Sequence, residues 1–302
     1  MNGKTVLVTG ATFGIGQATA LQLARLGART IIAGRNEEKS QNVVDDIRQE
    51  TGNPNVHDLL ADLSSISQTV SLAEEFRARY SRLDVLVNNV GAFAWKRHLT
   101  ADGLEQVFAL NYLVGHFLLT GLLLDLLQAS APSRIVNVSS DAHFAGKIDF
   151  DKLQGNGRYS GWKAYSQSKL ANVLFTYALA RRLEGSGVTV NALHPGVVNS
   201  GFATPDNTPE ILARGFRQVY GLFARSPSEG AETSVYLAAA PELEGVTGCY
   251  FADKQAKDSA KASYDRTTQE RLWQVSLQML DRFGVYPFLG RGSESRPEPG
   301  SP

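Results

Sequence analysis

Short runs of β-branched and apolar residues recur at Thr5–Thr9, Thr30–Gly34, Val56–Leu60, Val85–Asn89, Arg134–Ser139, Val188–Leu193 and Gly248–Phe251, separated by stretches of helix length or longer. Runs without polar alternation read as strands buried on both faces, and strands divided by helices read as a parallel sheet with crossover helices on either side. The pattern predicts a doubly wound α/β fold around a mostly parallel sheet of about seven strands. Its first helix is legible in Ile15–Leu26, where Ala18, Leu21, Leu23 and Leu26 can line a sheet-facing stripe and Gly27 can close the helix.

Composition narrows the partners. The 302 residues are 43% hydrophobic, and 30 basic side chains offset 30 acidic ones. A chain this long buries roughly three quarters of its unfolded surface and needs no covalent staples. Zero net charge lacks the positive field that nonspecific binding to a phosphate backbone requires, so no nucleic-acid partner is expected. The lone Cys249 reads as a buried thiol, and the five histidines lack the spacing of a metal-ligand set.

The first strand follows Met1–Lys4 directly, so no leader is expected and the protein is placed in the cytoplasm. Leu113–Leu127 is apolar but carries His116 and Asp125 and falls short of the ~20 residues of a membrane span. It is expected to pack in the core or against a second subunit. No linker interrupts 1–284, which is therefore read as one domain. Within it, 199–228, with Pro205, Pro209 and Pro227, is expected to be a substrate-covering loop bearing Phe202, Phe216, Tyr220 and Phe223. Phe93, Trp95 and Phe144 are weaker candidates for a lipophilic lining, and 285–302 reads as a disordered tail.

Chemistry enters at the turn after the first strand, Thr9-Gly10-Ala11-Thr12-Phe13-Gly14-Ile15-Gly16. Glycines there permit a tight turn and close approach to a pyrophosphate, while the helix that follows offers unpaired N–H groups. The second strand ends Ala33-Gly34-Arg35-Asn36. An acidic residue there would bind the ribose hydroxyls of NAD, whereas Arg35 suits the 2′-phosphate of NADP(H). The other reading of Arg35 is a solvated side chain paired with Glu37 or Glu38.

Tyr165 and Lys169 are four residues apart and share one helix face. An ammonium about 4 Å from a phenol, at an effective dielectric of about 20, favours the phenolate by at most about 4 kcal/mol, or about three pKa units. Tyr165 is thus a credible acid/base. Ser139 and Ser140 end a strand where open sheets place ligands, and either could bind a carbonyl oxygen or cap the next turn. Asn111, in an apolar helical setting, can position a relay water or satisfy a nearby carbonyl.

Together with Asp62-Leu63, Asn88-Asn89-Val90-Gly91 and Pro195-Gly196, these motifs occur in the order of the short-chain dehydrogenases/reductases, which the chain resembles from about Lys4 to Asp253. Gly146–Phe150, Ser168–Asn172 and His194–Val198 look most like the retinol dehydrogenase and WW-domain oxidoreductase branch.

The resemblance implies a single-domain Rossmann fold and a catalytic set of Asn111, Ser140, Tyr165 and Lys169. It implies cofactor contacts from Gly10, Thr12, Phe13, Gly14, Ile15, Gly16, Arg35, Asn36, Asp62, Leu63, Asn89, Gly91, Pro195 and Val198, besides Tyr165 and Lys169. The expected activity is NADP(H)-dependent interconversion of an alcohol and a carbonyl on a lipophilic small molecule. Reduction of another carbonyl or a double bond, and a nucleotide-sensing scaffold with little turnover, are the other readings. Two departures stand out: valine for alanine at Val90, and Asn199-Ser200 in place of a threonine after Pro-Gly. The resemblance also suggests homo-oligomers built on the helices around Ala101–Gln128 and Gly161–Leu183, although sheet-covering helices need the same apolar faces.

Overall fold

A computed structural model describes residues 1–198 and 225–288. Among them, eight strands form one sheet in the order β3-β2-β1-β4-β5-β6-β7-β8. They are β1 (Thr5–Thr9), β2 (Arg29–Gly34), β3 (Val56–Leu60), β4 (Val85–Asn88), β5 (Ser133–Val138), β6 (Val188–Leu193), β7 (Tyr250–Ala252) and β8 (Gln255–Lys257). All pair in parallel except β7 with β8. The predicted doubly wound α/β architecture is therefore present. The eighth strand was not legible in the sequence because Gln255–Lys257 is three exposed residues with no apolar signal, formed only by the Asp253-Lys254 hairpin turn.

The helices are α1 (Gly14–Arg25), α2 (Glu37–Thr51), α3 (Ile66–Arg79), α4 (Gln106–Ala129), α5 (Gly161–Arg182), α6 (Pro227–Ala239) and α7 (Arg266–Asp281). Alternate residues of each central strand point to opposite faces of the sheet. Leu7, Ile31, Leu86, Ile135 and Val190 pack into a layer with residues of α3, α4, α5 and α7. Val6, Val8, Ile32, Val87, Val136 and Leu193 pack on the other face with residues of α1, α2 and α6.

Helix α4 is longer than its apolar stretch suggested. Its 24 residues would suffice to cross a membrane by length and composition, but 83% of its most apolar window is buried inside the protein. Phe117 of α4 and Phe175 of α5 both pack on Trp273 of α7, and Tyr112 of α4 hydrogen-bonds Ser276 of α7 at 2.9 Å. Part of the apolar surface of α4 and α5 is thus covered by the chain's own α7.

The folded unit also extends past Gly284. Phe288 packs on Phe117 and Trp273, and Pro287 lies so close to Gly121 that a Cβ there would stand 2.6 Å from it. The expected disordered tail therefore starts too early at 285, because Val285 and Phe288 are apolar anchors; 289–302 lies outside the described residues. Most of the expected covering loop, with Phe202, Phe216, Tyr220, Phe223 and the Asn199-Ser200 departure, likewise lies outside them. The chain re-enters at Arg225, paired in parallel with Val198, and Ser226 starts α6 through a capping box with Glu229.

Candidate active site

Strand order reverses between β1 and β4: β2 and β3 lie to one side of β1, and the later strands lie beyond β4. The loops at their carboxyl ends therefore part and leave a crevice, the position where open α/β sheets bind ligands. A cleft of about 550 Å³ opens there, bordered by Gly10, Thr12, Phe13, Arg35, Asp62, Leu63 and the Val90–Lys96 segment.

Its floor is glycine by necessity. Gly10 has a φ of +64°, and a Cβ on Gly16 would stand 2.4 Å from the Gly10 carbonyl oxygen and 2.5 Å from Asn89 Nδ2. Gly34 is equally constrained, since a Cβ there would fall 2.5 Å from a methyl carbon of Thr12. Helix α1 starts after Phe13 with no side-chain cap and no acid in its first turn. Its first N–H groups therefore face the cleft with the positive end of the helix dipole. Helix α2 differs: Asn36 accepts a hydrogen bond from Lys39 N at 2.8 Å, and Glu37 and Glu38 occupy its first turn.

The predicted residues separate into those facing the cleft and those that hold it. Arg35 is exposed at its rim, and Glu37 and Glu38 stand in the first turn of α2. Asp62 accepts two hydrogen bonds from Ser64 through Oδ1, and Leu63 is buried beside it. Ile15 and Val198 meet over Gly230 at the start of α6, and Pro195 is buried. Gly91 lies where a Cβ would come within 3.4 Å of Lys169 Nζ, and Gly14, at φ +60°, opens α1.

Three of the predicted residues also brace the cleft from within the fold. Asn36 caps α2. Asn89 donates from Nδ2 to the carbonyls of Thr9 (2.8 Å) and Gly10 (3.2 Å), tying the ends of β4 and β1 together. Asn111 accepts from Ala92 N at 2.7 Å and donates to Ala92 O (2.9 Å) and Ser168 Oγ (3.0 Å). Both amide hydrogens of Asn111 are committed, so its side chain has no donor left for a relay water. Its side chain satisfies the Ala92 carbonyl and clamps the loop that borders the cleft.

Asn111 lies in a π-helical stretch of α4, Ala109–Leu118, which widens the helix where it meets the cleft loop. His116 of the same stretch donates from Nε2 to the Val90 carbonyl at 3.0 Å. Burial first, and the charge of Lys169 second, push its imidazole down to about 3, so it stays neutral.

Tyr165 and Lys169 sit on one face of α5 as predicted, with Lys169 Nζ 5.8 Å from the centre of the phenol ring. The electrostatics differ from the sequence-based expectation. Burial pushes Tyr165 up to about 12, against a hydrogen bond from Ser140 that lowers it. Lys169 is buried and pushed down to about 8, and Nζ donates to the Val138 carbonyl at 3.0 Å. The expected fall in the phenol's pKa was an upper limit, set at about 4 Å and before the subtraction of desolvation, which here acts on both groups.

The structure also separates the two serines. Ser139 is buried and donates to the Lys169 carbonyl at 2.8 Å, whereas Ser140 reaches Tyr165. Ser140 additionally caps the turn Asp141–Ala145 by accepting from Ala142 N at 3.2 Å, as its capping reading expects.

Aromatic rings surround the Tyr165 phenol. Phe93 meets Tyr165 edge-on at 5.8 Å and Trp95 at 4.8 Å. Trp162 approaches Tyr165 at 6.5 Å from the preceding turn of α5 and was missed in the sequence, although its i, i+3 spacing could have shown it. Trp95, Phe144 and Trp162 are each more than half exposed.

Residues 4–210 match the sequence model of the short chain dehydrogenase family. Human retinol dehydrogenase 14 is 43% identical over 293 residues, covering 93% of this chain and 87% of that protein. Human retinol dehydrogenase 13 is 47% identical, covering 92% and 85%, and human polyprenol dehydrogenase is 43% identical, covering 91% and 84%. Among solved structures, an uncharacterised Mycobacterium paratuberculosis protein aligns with a TM-score of 0.73 at 31% identity, covering 93% of this chain and 94% of that one. A Beutenbergia cavernae protein described as an NAD(P)-dependent gluconate 5-dehydrogenase, with bound NADP, aligns at 0.67 and 31%, covering 83% and 95%. With the glycine-floored crevice and the Ser140–Tyr165–Lys169 cluster in the same fold, the chain belongs to the short-chain dehydrogenase/reductase family, in its retinol dehydrogenase branch.

Proposed function

We propose that this oxidoreductase interconverts an alcohol and a carbonyl on a lipophilic small molecule, using NADP(H). The observation that carries the reading is the contact of Ser140 with Tyr165, above Lys169 and under a partly exposed aromatic rim, at the end of a crevice shaped for a dinucleotide. The missing Cβ atoms at Gly10, Gly16 and Gly34, and the uncapped start of α1, fit a pyrophosphate and its flanking ribose. Arg35, with no acidic partner among the described residues, suits a 2′-phosphate, and Asp62, Leu63, Gly91 and Val198 border the remaining length.

When bound, the nicotinamide ring supplies or accepts the hydride. The chain's own groups manage the oxygen and its proton. The Ser140 hydroxyl holds the carbonyl oxygen by a hydrogen bond, and the Tyr165 phenol donates its proton to that oxygen as the alcohol forms. In the reverse direction the phenolate takes the hydroxyl proton. The Lys169 ammonium favours the phenolate and faces the cleft past Gly91, while Asn111 and His116 hold the Val90–Ala92 loop in place. Phe93, Trp95 and Trp162 supply apolar surface for a hydrophobic substrate; the relatives named for retinol and polyprenol support that class.

Tyr165→Phe tests the reading. Turnover of a retinoid or polyprenol aldehyde with NADPH should fall by at least about a hundredfold, the contribution of a positioned acid. NADPH affinity by calorimetry should stay within about twofold of wild type, since a hydroxyl lost from an acid/base role leaves uniform binding intact. Unchanged turnover refutes the mechanism.

A further inference from the structure

A second polar cluster lies directly behind Ser140. His143, one turn later, is fully buried; its Nδ1 is 2.7 Å from the Ser140 carbonyl oxygen, and its Nε2 is 3.1 Å from the backbone N of Ala260. Because an amide N–H only donates and a carbonyl only accepts, the ring's hydrogen must be on Nδ1 and Nε2 must be bare. The imidazole is therefore a neutral bridge between the turn that carries Ser140 and the segment that follows β8.

A parallel chain steadies the same turn from β6. Asp141 accepts from His194 Nε2 at 3.0 Å, and His194 Nδ1 is 2.6 Å from the Tyr250 hydroxyl. Tyr250 packs on the His143 ring with centroids 4.7 Å apart. Two residues adjacent to Ser140 or one turn away are thus fastened to three separate strands or segments.

We propose that His143 is a positioning residue for the reaction: as a neutral Nδ1–H bridge it sets where the Ser140 hydroxyl stands relative to Tyr165. The inference rests on the proposed roles of Ser140 and Tyr165. Burial holds the imidazole below its ordinary value, against the Ser140 carbonyl and Asp141, which raise it; the neighbouring His194 lowers it further. A charged ring would aim an N–H on Nε2 at the Ala260 N–H, so the bridge requires neutrality.

The test compares His143→Gln with His143→Phe in the full chain, with Tyr165→Phe alongside. Glutamine can accept from Ala260 and donate to Ser140; phenylalanine fills the ring space and does neither. His143→Phe should lose about tenfold to a hundredfold in kcat, the cost of a reacting group misplaced by about 1 Å, with KM for NADPH unchanged. His143→Gln should recover most of that loss. The alkaline rise in alcohol oxidation should move to higher pH in His143→Phe, because the hydrogen bond that lowers Tyr165 is weakened; a role confined to folding would leave that rise in place.

In the wild type, ¹⁵N-resolved histidine spectra should show His143 neutral with hydrogen on Nδ1 from pH 5.5 to 8.5 (range set about the ordinary value of about 6.5). An Nε2–H tautomer, a His143 titration in that range, or wild-type kinetics and pH dependence in His143→Phe each overturns the proposal. If Tyr165→Phe itself remains active, the reading on which the proposal rests fails instead.

Discussion

Replacing Lys169 with methionine removes a buried ammonium from beneath the Tyr165 ring while keeping most of the side-chain volume. With the charge 5.8 Å from the ring centre and an effective dielectric of about 20, the ammonium favours phenolate by about 3 kcal/mol, or about two pKa units. Alcohol oxidation requires phenolate as the base, so its rate climbs with pH through the Tyr165 ionisation. Below about pH 8, where Lys169 carries its charge, kcat/KM in Lys169→Met should fall about a hundredfold, and the deficit should close as pH rises past that value and the wild-type ammonium is lost. The assay is a pH profile of NADP⁺-dependent oxidation, with cofactor affinity measured at each pH. Burial already disfavours the ammonium, holding Lys169 near about 8, so its removal should not lower the melting temperature. Coincident profiles for variant and wild type would show that Lys169 acts through cofactor binding alone and refute the electrostatic argument.

Three further outcomes follow from the same geometry. Arg35→Glu should weaken NADPH about tenfold to a hundredfold, the loss of a charge-assisted contact or two, and weaken NADH much less; titration of both cofactors checks it. Burial raises the Asp84 carboxyl, but hydrogen bonds from Arg82, Thr5 N and Lys4 outweigh it and hold the group below its ordinary value. Its contribution to stability is therefore complete above the unfolded value of about 3.9 and lost as pH falls through the lower folded value. The melting-temperature gap between wild type and Asp84→Asn should accordingly narrow from pH 6 to pH 3, limits chosen to bracket about 3.9. Trp273→Ala empties the space between Phe117, Phe175 and Phe288 and should cost about 3–5 kcal/mol in chemical denaturation.

Much of the fold could be read in the chain because buried parallel strands announce themselves: Thr5–Thr9 and Val188–Leu193 are apolar or β-branched nearly throughout and begin and end where expected. Elements whose existence depends on tertiary partners could not. Gln255–Lys257 is a strand only because β7 lies beside it, and Val285–Phe288 is anchored only because Gly121 leaves room for Pro287. The apolar stretch centred on Leu113–Leu127 was visible, but its extension back to Gln106 was not, since Glu105 caps the helix with bonds to Val107 N and Phe108 N rather than through a conventional serine or aspartate.

The site was legible where chemistry depends on residue type and spacing, and obscure where it depends on direction. Spacing alone put Tyr165 above Lys169, yet only the side-chain directions distinguish Ser140, turned to the phenol, from Ser139, turned to the Lys169 carbonyl. Asn36, Asn89 and Asn111 carry the functional groups of ligand contacts, and each also uses one or more of them on backbone: a cap, a strand-end tie and a loop clamp. The consequence concerns how the crevice resists collapse. Its floor has almost no side chains, so its shape must be imposed from behind, and Asn89 and Asn111 do so by fastening Gly10 and Ala92. Removing either asparagine should therefore loosen the cofactor crevice as a unit while leaving Arg35, at its rim, chemically intact.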